Sequence, residues 1–334
     1  MPTIVTKSYP RAALIGNPSD GYHGKTIAFV FSNFSVKVVL EQNTFIKINI
    51  PENEQLNHES LDSFIGHIGR FGYYGGERLV KSAIKVFLDH CKENDIRIEE
   101  KLFSISYETN IPRSLGLGGS SAIITAIIRA LMIFYDVNIP NASLANLILD
   151  AETKELGITA GLQDRVAQAY AHPVYMDFNK EHLTQFGIGK YETFNSDLLS
   201  HLYIAYKVSN SESSEVVHND LRMRYDNGEE DVVRVIERLG EISDEFYELL
   251  KNRNLDDIND LINENFDIRR SIMDISKSNQ KMIDVARSCE VSAKFTGSGG
   301  AIIGMYKSDS ELINLRSEMM KIGAEVFLPE VVSS

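Results

Sequence analysis

Residues 111–122 read IPRSLGLGGSSA, and no other segment limits the fold as strongly. Lys101 to Thr109 before it alternates like a strand, and Ser120 to Tyr135 after it is apolar enough to be a buried helix. Gly116, Gly118 and Gly119 fall between the two, where missing side chains let backbone N–H groups close around an anion. The helix would add the positive end of its dipole. A plain strand-to-helix turn explains the glycines equally well. The loop lacks the Gly-Lys-Ser/Thr ending of a Walker A loop, and no acidic ribose-binding residue follows at the roughly 20-residue spacing of a dinucleotide fingerprint. Ser120 and Ser121 could supply a hydroxyl to a phosphate-bound Mg²⁺ ion, or could simply cap the helix.

The chain around this loop is long for one core. At 334 residues two domains are expected, with small ligands bound where they meet. A net charge of -13 leaves no basic face for nucleic acid. Cys91 and Cys289 are the only cysteines, too few for a disulfide framework or a thiolate zinc site. The first residues lack a signal-peptide core, and the most apolar run, Ala122 to Tyr135, is interrupted by Arg129 and shorter than the ~20 residues of a membrane span. A cytoplasmic protein with no membrane partner is expected.

Apolar runs at Ala12–Leu14, Ile27–Val30, Ser35–Leu40 and Thr44–Ile50 predict an opening β meander. Helices are expected at Glu77–Asn94, after Pro140 with Ser143 as cap and Gly157 as stop, and from about Asp164. Strands near Val174–Phe178 and Leu202–Val208 follow, then charged helices at Glu229–Asn252 and Leu255–Ser276. A strand, glycine loop and strand at Val291–Tyr306, a helix at Ser310–Ile322 and a last strand at Ala324–Leu328 complete an α+β unit.

PRSLGLGGSSA resembles the central phosphate-binding motif of the GHMP kinases, and two further segments resemble that family's other motifs in the same order. YPRAALIGNPSDGYHGKT, from Tyr9, is similar to the substrate-side opening, and KFTGSGGAIIGM, ending at Met305, to the Thr-Gly-x-Gly-Gly loop of the third motif. Asn17 and Pro18 stand where galactokinases carry Glu-His, while GNPSDGY, AGLQDRVAQ (Ala160–Gln168) and NFDIRR (Asn265–Arg270) are closer to the glucuronokinase branch.

The resemblance implies an α+β fold of two domains. These are an N-terminal unit like ribosomal protein S5 domain 2 (1–190) and a C-terminal ferredoxin-like unit (191–334), with the active site in the cleft between them. It implies an ATP- and Mg²⁺-dependent sugar 1-kinase acting on a uronic acid or aldose, with D-glucuronate first. Mevalonate, galactose or a heptose phosphate are alternative acceptors, and a non-catalytic sugar or nucleotide sensor is the alternative from another class. Asp164 matches the catalytic base and Arg11 the cation beside it. Gly116, Leu117, Gly118, Gly119, Ser120 and Ser121 match the phosphate loop, and Ser120 with Glu152 the Mg²⁺ ligands. Asp20, Tyr22, His218, Arg269 and Arg270 match the substrate side, and Thr296, Gly297, Ser298, Gly299 and Gly300 the third-motif loop.

Each residue also has a plainer reading. Asp164 could cap a helix, Arg11 could face solvent from a strand, and Glu152 could lie on a solvated helix face. Asp20 could belong to an ordinary turn, and Arg269 and Arg270 to a charged helix surface.

Overall fold

The computed structural model describes residues 3–49, 57–73, 75–207, 215–254 and 257–333. Among them the strands are β1 (Ile4–Ser8), β2 (Arg11–Ile15), β3 (Lys25–Val30), β4 (Val36–Asn43), β5 (Ile46–Ile48), β6 (Asn57–His58), β7 (Leu102–Thr109), β8 (Val174–Asp177), β9 (Lys190–Thr193), β10 (Leu202–Tyr206), β11 (Lys294–Phe295), β12 (Ala301–Met305) and β13 (Glu325–Phe327). By packing, the chain forms two compact units that interleave in sequence: 1–10, 34–111 and 119–160 in one, 11–33, 112–118 and 161–334 in the other.

The first unit is built on a five-stranded sheet, β1-β4-β7-β5-β6. Along β4, Val36, Val38 and Leu40 are buried and Lys37 is exposed, the period-2 pattern of a strand with one face on the core. The helix Gly119–Tyr135 lies across β1 and β4 and is itself covered by the helices Arg78–Glu93 and Asn141–Asp150. Wrapped in this way it can be apolar on every side, and Ala122 to Ile128 are all buried. Pro140 stands at the N-cap position of the helix Asn141–Asp150 with no side-chain cap bond, and Ser143, expected to cap it, is its third residue. It continues as a π-helical stretch, Ala151–Glu155, before Gly157 turns the chain at φ +64°.

In the second unit the sheets are β2-β3-β8-β9 and β11-β12-β10-β13. All five residues of β2 are buried, so Arg11 is set in a strand with no solvent face. The helices Glu230–Lys251 and Ile258–Ile272 pack on β3 and on β11. The core beneath includes Tyr203, Phe266, Phe295, Ile302 and Leu315, and each buried large side chain contributes roughly 1.5–3 kcal/mol.

The apolar runs predicted for an opening meander do form strands, but not one sheet. β2 pairs with β3, whereas β4 pairs with β1 and β7 in the other unit. A helix at Lys277–Ser288 also stands where only a connection was expected. Among the described residues no helix is long and apolar enough to cross a membrane.

Candidate active site

Arg11 opens β2, and its guanidinium joins three sequence-distant segments of the second unit. Nε and Nη2 donate to Asp164 Oδ1 and Oδ2 at 2.6 and 2.7 Å. Nη1 donates to the carbonyls of Gly116 and Thr296. A two-pronged pair of this kind is among the stronger charged contacts, and here the side chains keep only 6% and 15% of their exposure. Arg11 is therefore no surface residue. Nor does Asp164 cap a helix: it is the second residue of the helix Gln163–Tyr170, whose cap position is Leu162 with no side-chain bond.

The glycines are needed where the loop passes over this pair. Gly118, at φ +67°, lies so close that an added Cβ would stand 3.2 Å from Arg11 Cγ and 3.5 Å from Asp164 Oδ2. Gly116, at φ +62°, would put one 2.8 Å from the Ser298 nitrogen. On the third-motif loop, Gly297 has no room for a Cβ beside the Gly116 carbonyl, and Gly299 and Gly300 have φ +129° and +80°. Thr296 is buried and accepts from the Ala13 nitrogen as well as from Arg11, while Ser298 is exposed at the loop tip. Gln168 Nε2 donates to the Gly118 carbonyl at 2.8 Å, which ties the helix of Asp164 to the phosphate loop.

Asp20 and Tyr22 lie in the 3-10 turn Ser19–Tyr22, which follows a cis Asn17–Pro18 bond. Asp20 is 2% exposed. Its Oδ2 accepts from the nitrogens of Leu162 and Gln163 at 2.8 and 3.1 Å, and its Oδ1 from Gln163 Nε2 at 3.0 Å. Burial lifts its pKa from 3.8 to about 6, against the lowering effect of the Gln163 and Leu162 N–H bonds, and the nearby Asp164 charge adds to the rise. Tyr22 is buried edge-on against Tyr225, with the Arg222 guanidinium 4.6 Å over its ring, and burial pushes its pKa up to about 12.

The two candidate arginines part company. Arg269 is 2% exposed and donates from Nη1 to the Gly297 carbonyl at 2.9 Å, while its Nε has no partner among the described residues. Burial brings its pKa down to about 10, with Asp20 opposing and Arg11 reinforcing the shift. Arg270 is exposed and lines a surface hollow with Asp274, Lys281 and Asp284. His218 lies on the helix Glu215–Asp226, and its side chain is outside the described residues.

The remainder of the predicted phosphate and metal set belongs to the first unit. Glu152 is fully buried in the π-helical stretch and accepts from Ser120 Oγ at 2.6 Å and from Ser121 Oγ at 3.0 Å. Glu152 is a buried residue of a π-helical segment, and such segments recur at functional sites. A solvated helix face is thus excluded for Glu152.

Two further residues escaped the sequence reading. Asn265, in NFDIRR, accepts from the Gly16 nitrogen at 2.7 Å and so fixes the first-motif turn. Lys294, the first residue of the third-motif segment, is fully buried and donates to the carbonyls of Ala13 and Phe295, both at 2.9 Å, and to Asn17 Oδ1. Burial, with Arg269 and Arg11 nearby, drives its pKa well below the usual lysine range. Each of the two is the first residue of a segment already singled out, NFDIRR and KFTGSGGAIIGM, and a polar side chain at that position was the available signal.

Within the second unit a glycine loop passes over an arginine-clamped carboxylate, and within the first two serine hydroxyls donate to a buried glutamate; both are arrangements of the kind that phosphoryl transfer to a small molecule uses. Sequence profiles described as the GHMP kinases N terminal domain and GHMP kinases C terminal match residues 78–172 and 246–324. The chain is 40% identical over 327 residues to glucuronokinase 1 of Arabidopsis thaliana, covering 96% of this chain and 90% of that one. It is 41% identical to probable glucuronokinase 2 of the same plant, covering 93% and 87%. Lactococcus lactis galactokinase, solved with galactose, superposes with a TM-score of 0.82 at 16% identity over 99% of this chain and 94% of that one, which speaks for the fold alone. The chain belongs to the GHMP kinases, with their two-domain α+β fold, and is an ATP-dependent kinase.

Proposed function

We propose that this kinase transfers the γ-phosphoryl group of ATP to the anomeric hydroxyl of D-glucuronate, yielding glucuronate 1-phosphate and ADP. The relatives that bear the name glucuronokinase support the acceptor. The chemistry rests on the Arg11–Asp164 pair: a carboxylate at the end of a phosphate loop, held by two hydrogen bonds and still 15% exposed.

Asp164 takes the proton from the acceptor hydroxyl as its oxygen bonds to the γ-phosphorus and the bond to the β-phosphate oxygen breaks. Arg11 orients the base through two hydrogen bonds and lowers the cost of negative charge on the attacking oxygen. The N–H groups of Gly116 to Ser121 bind phosphate oxygens, and Thr296 to Gly300 close over them.

The donor set suits magnesium. Adjacent oxygens of an octahedral Mg²⁺ site are roughly 3 Å apart for Mg–O near 2.1 Å, and Ser120 Oγ and Glu152 Oε1 are 2.6 Å apart. Among the described residues no three acidic, histidine or cysteine side chains form a metal cluster, so such an ion would share these two residues with phosphates and water. When bound, it would neutralise charge on the phosphates.

Arg269, whose buried Nε is unpaired among the described residues, is the candidate reader of the sugar carboxylate, with Tyr22 on the same side. Cys91 and Cys289 are buried thiols, in keeping with a reducing cytosol.

An ATP-consumption screen over glucuronate, galacturonate, glucose, galactose and mevalonate tests the reading, with glucuronate expected to give the highest kcat/KM. Arg269→Met should penalise glucuronate over glucose by tens to thousands of fold, because an unpaired buried charge costs about 2–5 kcal/mol. Preference for a neutral aldose or mevalonate would defeat the acceptor assignment, and equal losses on both sugars would remove Arg269 as the reader.

A further inference from the structure

We infer that Asp20 is a positioning residue for the transfer step, acting through Asp164 by fixing the backbone from which the helix of the base departs. This rests on Asp164 being the base.

The helix Gln163–Tyr170 starts without a side-chain cap of its own, since Leu162 stands at the cap position. Its first N–H groups must be satisfied from elsewhere. Asp20, more than 140 residues earlier in the chain, does this for Leu162 and Gln163 and also holds the Gln163 side chain. Asp164 is the next residue. A negative group at a helix start also meets the favourable end of the dipole.

The approach is so close that a Cβ on Gly161 would stand 2.5 Å from Asp20 Oδ2. Asp20 itself sits in a braced turn. The Gly24 nitrogen donates to the Ser19 carbonyl, the Gly16 nitrogen to Asn265, and Arg222 Nη2 to the Gly21 carbonyl. The anchor is therefore stiff on both sides, and small displacements of it pass directly to Asp164.

The alternative is a carboxylate that hydrogen-bonds a sugar hydroxyl. Against it, both oxygens are already engaged by the loop and the residue is 2% exposed. The charge is kept in spite of its burial among Arg11, Asp164, Arg269 and Tyr22, where its pKa is raised to about 6.

Two variants disturb the same contact from opposite sides, Asp20→Ala and Gly161→Ala. Both are assayed on whichever acceptor the parent turns over best, so the test does not depend on glucuronate. Each should lower kcat about 10- to 100-fold, the scale of an ångström misplacement. The KM for acceptor and ATP should stay within about threefold. Asp20→Asn, which keeps an acceptor oxygen, should recover most of the loss. In an Asp164→Asn background, adding Asp20→Ala should change the residual turnover by less than about threefold, since both act on one step.

Loss through acceptor KM with kcat preserved would make Asp20 a sugar ligand and overturn the inference. So would a parent-like kcat in Gly161→Ala, or full additivity with Asp164→Asn. Where Asp20→Ala does not fold, Gly161→Ala and Asp20→Asn decide the matter. Undiminished turnover in Asp164→Asn alone would instead sink the base assignment.

Discussion

Replacing Asp20 by asparagine should make the protein more stable at neutral pH, while keeping an acceptor oxygen for the Leu162 and Gln163 nitrogens. The carboxyl pKa rises from 3.8 to about 6 on folding, mainly because burial penalises the charge. The sign follows from linkage. A carboxyl with a raised pKa in the folded state favours folding while protonated, so its contribution is fully present below about pH 4 and is lost as pH rises through about 6.

At about 1.36 kcal/mol per pH unit, the ionised form costs up to roughly 3 kcal/mol at pH 7.5. Asparagine is isosteric and neutral. Its Oδ1 can still accept from Leu162 and Gln163, and after a turn of the Gln163 amide its Nδ2 can donate to Gln163 Oε1, a buried oxygen without a partner among the described residues. Urea unfolding of parent and variant from pH 4 to 8 checks this. The variant midpoint should be higher at pH 7.5, and the gap should close between pH 6 and 4. Asp20→Ala should show no such gain, because two buried N–H groups would lose their acceptor at about 1–3 kcal/mol each. An asparagine variant less stable than the parent at neutral pH, or a gap that ignores pH, would refute the reasoning.

Asp164→Asn should keep nucleotide binding and lower kcat at least about 100-fold. Because it also leaves the Arg11 charge without its partner, a folding control by circular dichroism is required, and parent-like turnover would disprove the role. Ser120→Ala and Glu152→Gln should each raise the Mg²⁺ concentration for half-maximal rate, since each alters one of two oxygens 2.6 Å apart. An unchanged metal dependence in both would take the pair out of the metal site.

Most elements were legible from local pattern. The alternation in Val36 to Leu40, the unbroken apolar helix from Ser120 and the glycine stop at Gly157 each reflect forces that act within one turn or strand. The three motifs were legible for a related reason. Glycine, serine and proline at a turn answer to backbone geometry, and that geometry is local.

Pairing was not legible. Nothing within Arg11–Val30 or Val36–Asn43 says that the first pair of strands and the next strand belong to different sheets, because partner choice depends on which faces are covered in the assembled unit. The same limit applied to the side chains. Arg269 and Arg270 are adjacent and chemically identical, yet one is buried against the Gly297 carbonyl and the other faces solvent, since a step of about 100° around a helix separates core from surface. By local pattern alone Asp20 could be a turn aspartate and Asp164 a helix cap, whereas the resemblance put Asp20 on the substrate side and Asp164 at the base. Only the tertiary structure showed that Asp20 caps the helix and leaves Asp164 to Arg11, because a hydrogen bond between residues more than 140 positions apart is fixed by packing and leaves no trace in local sequence.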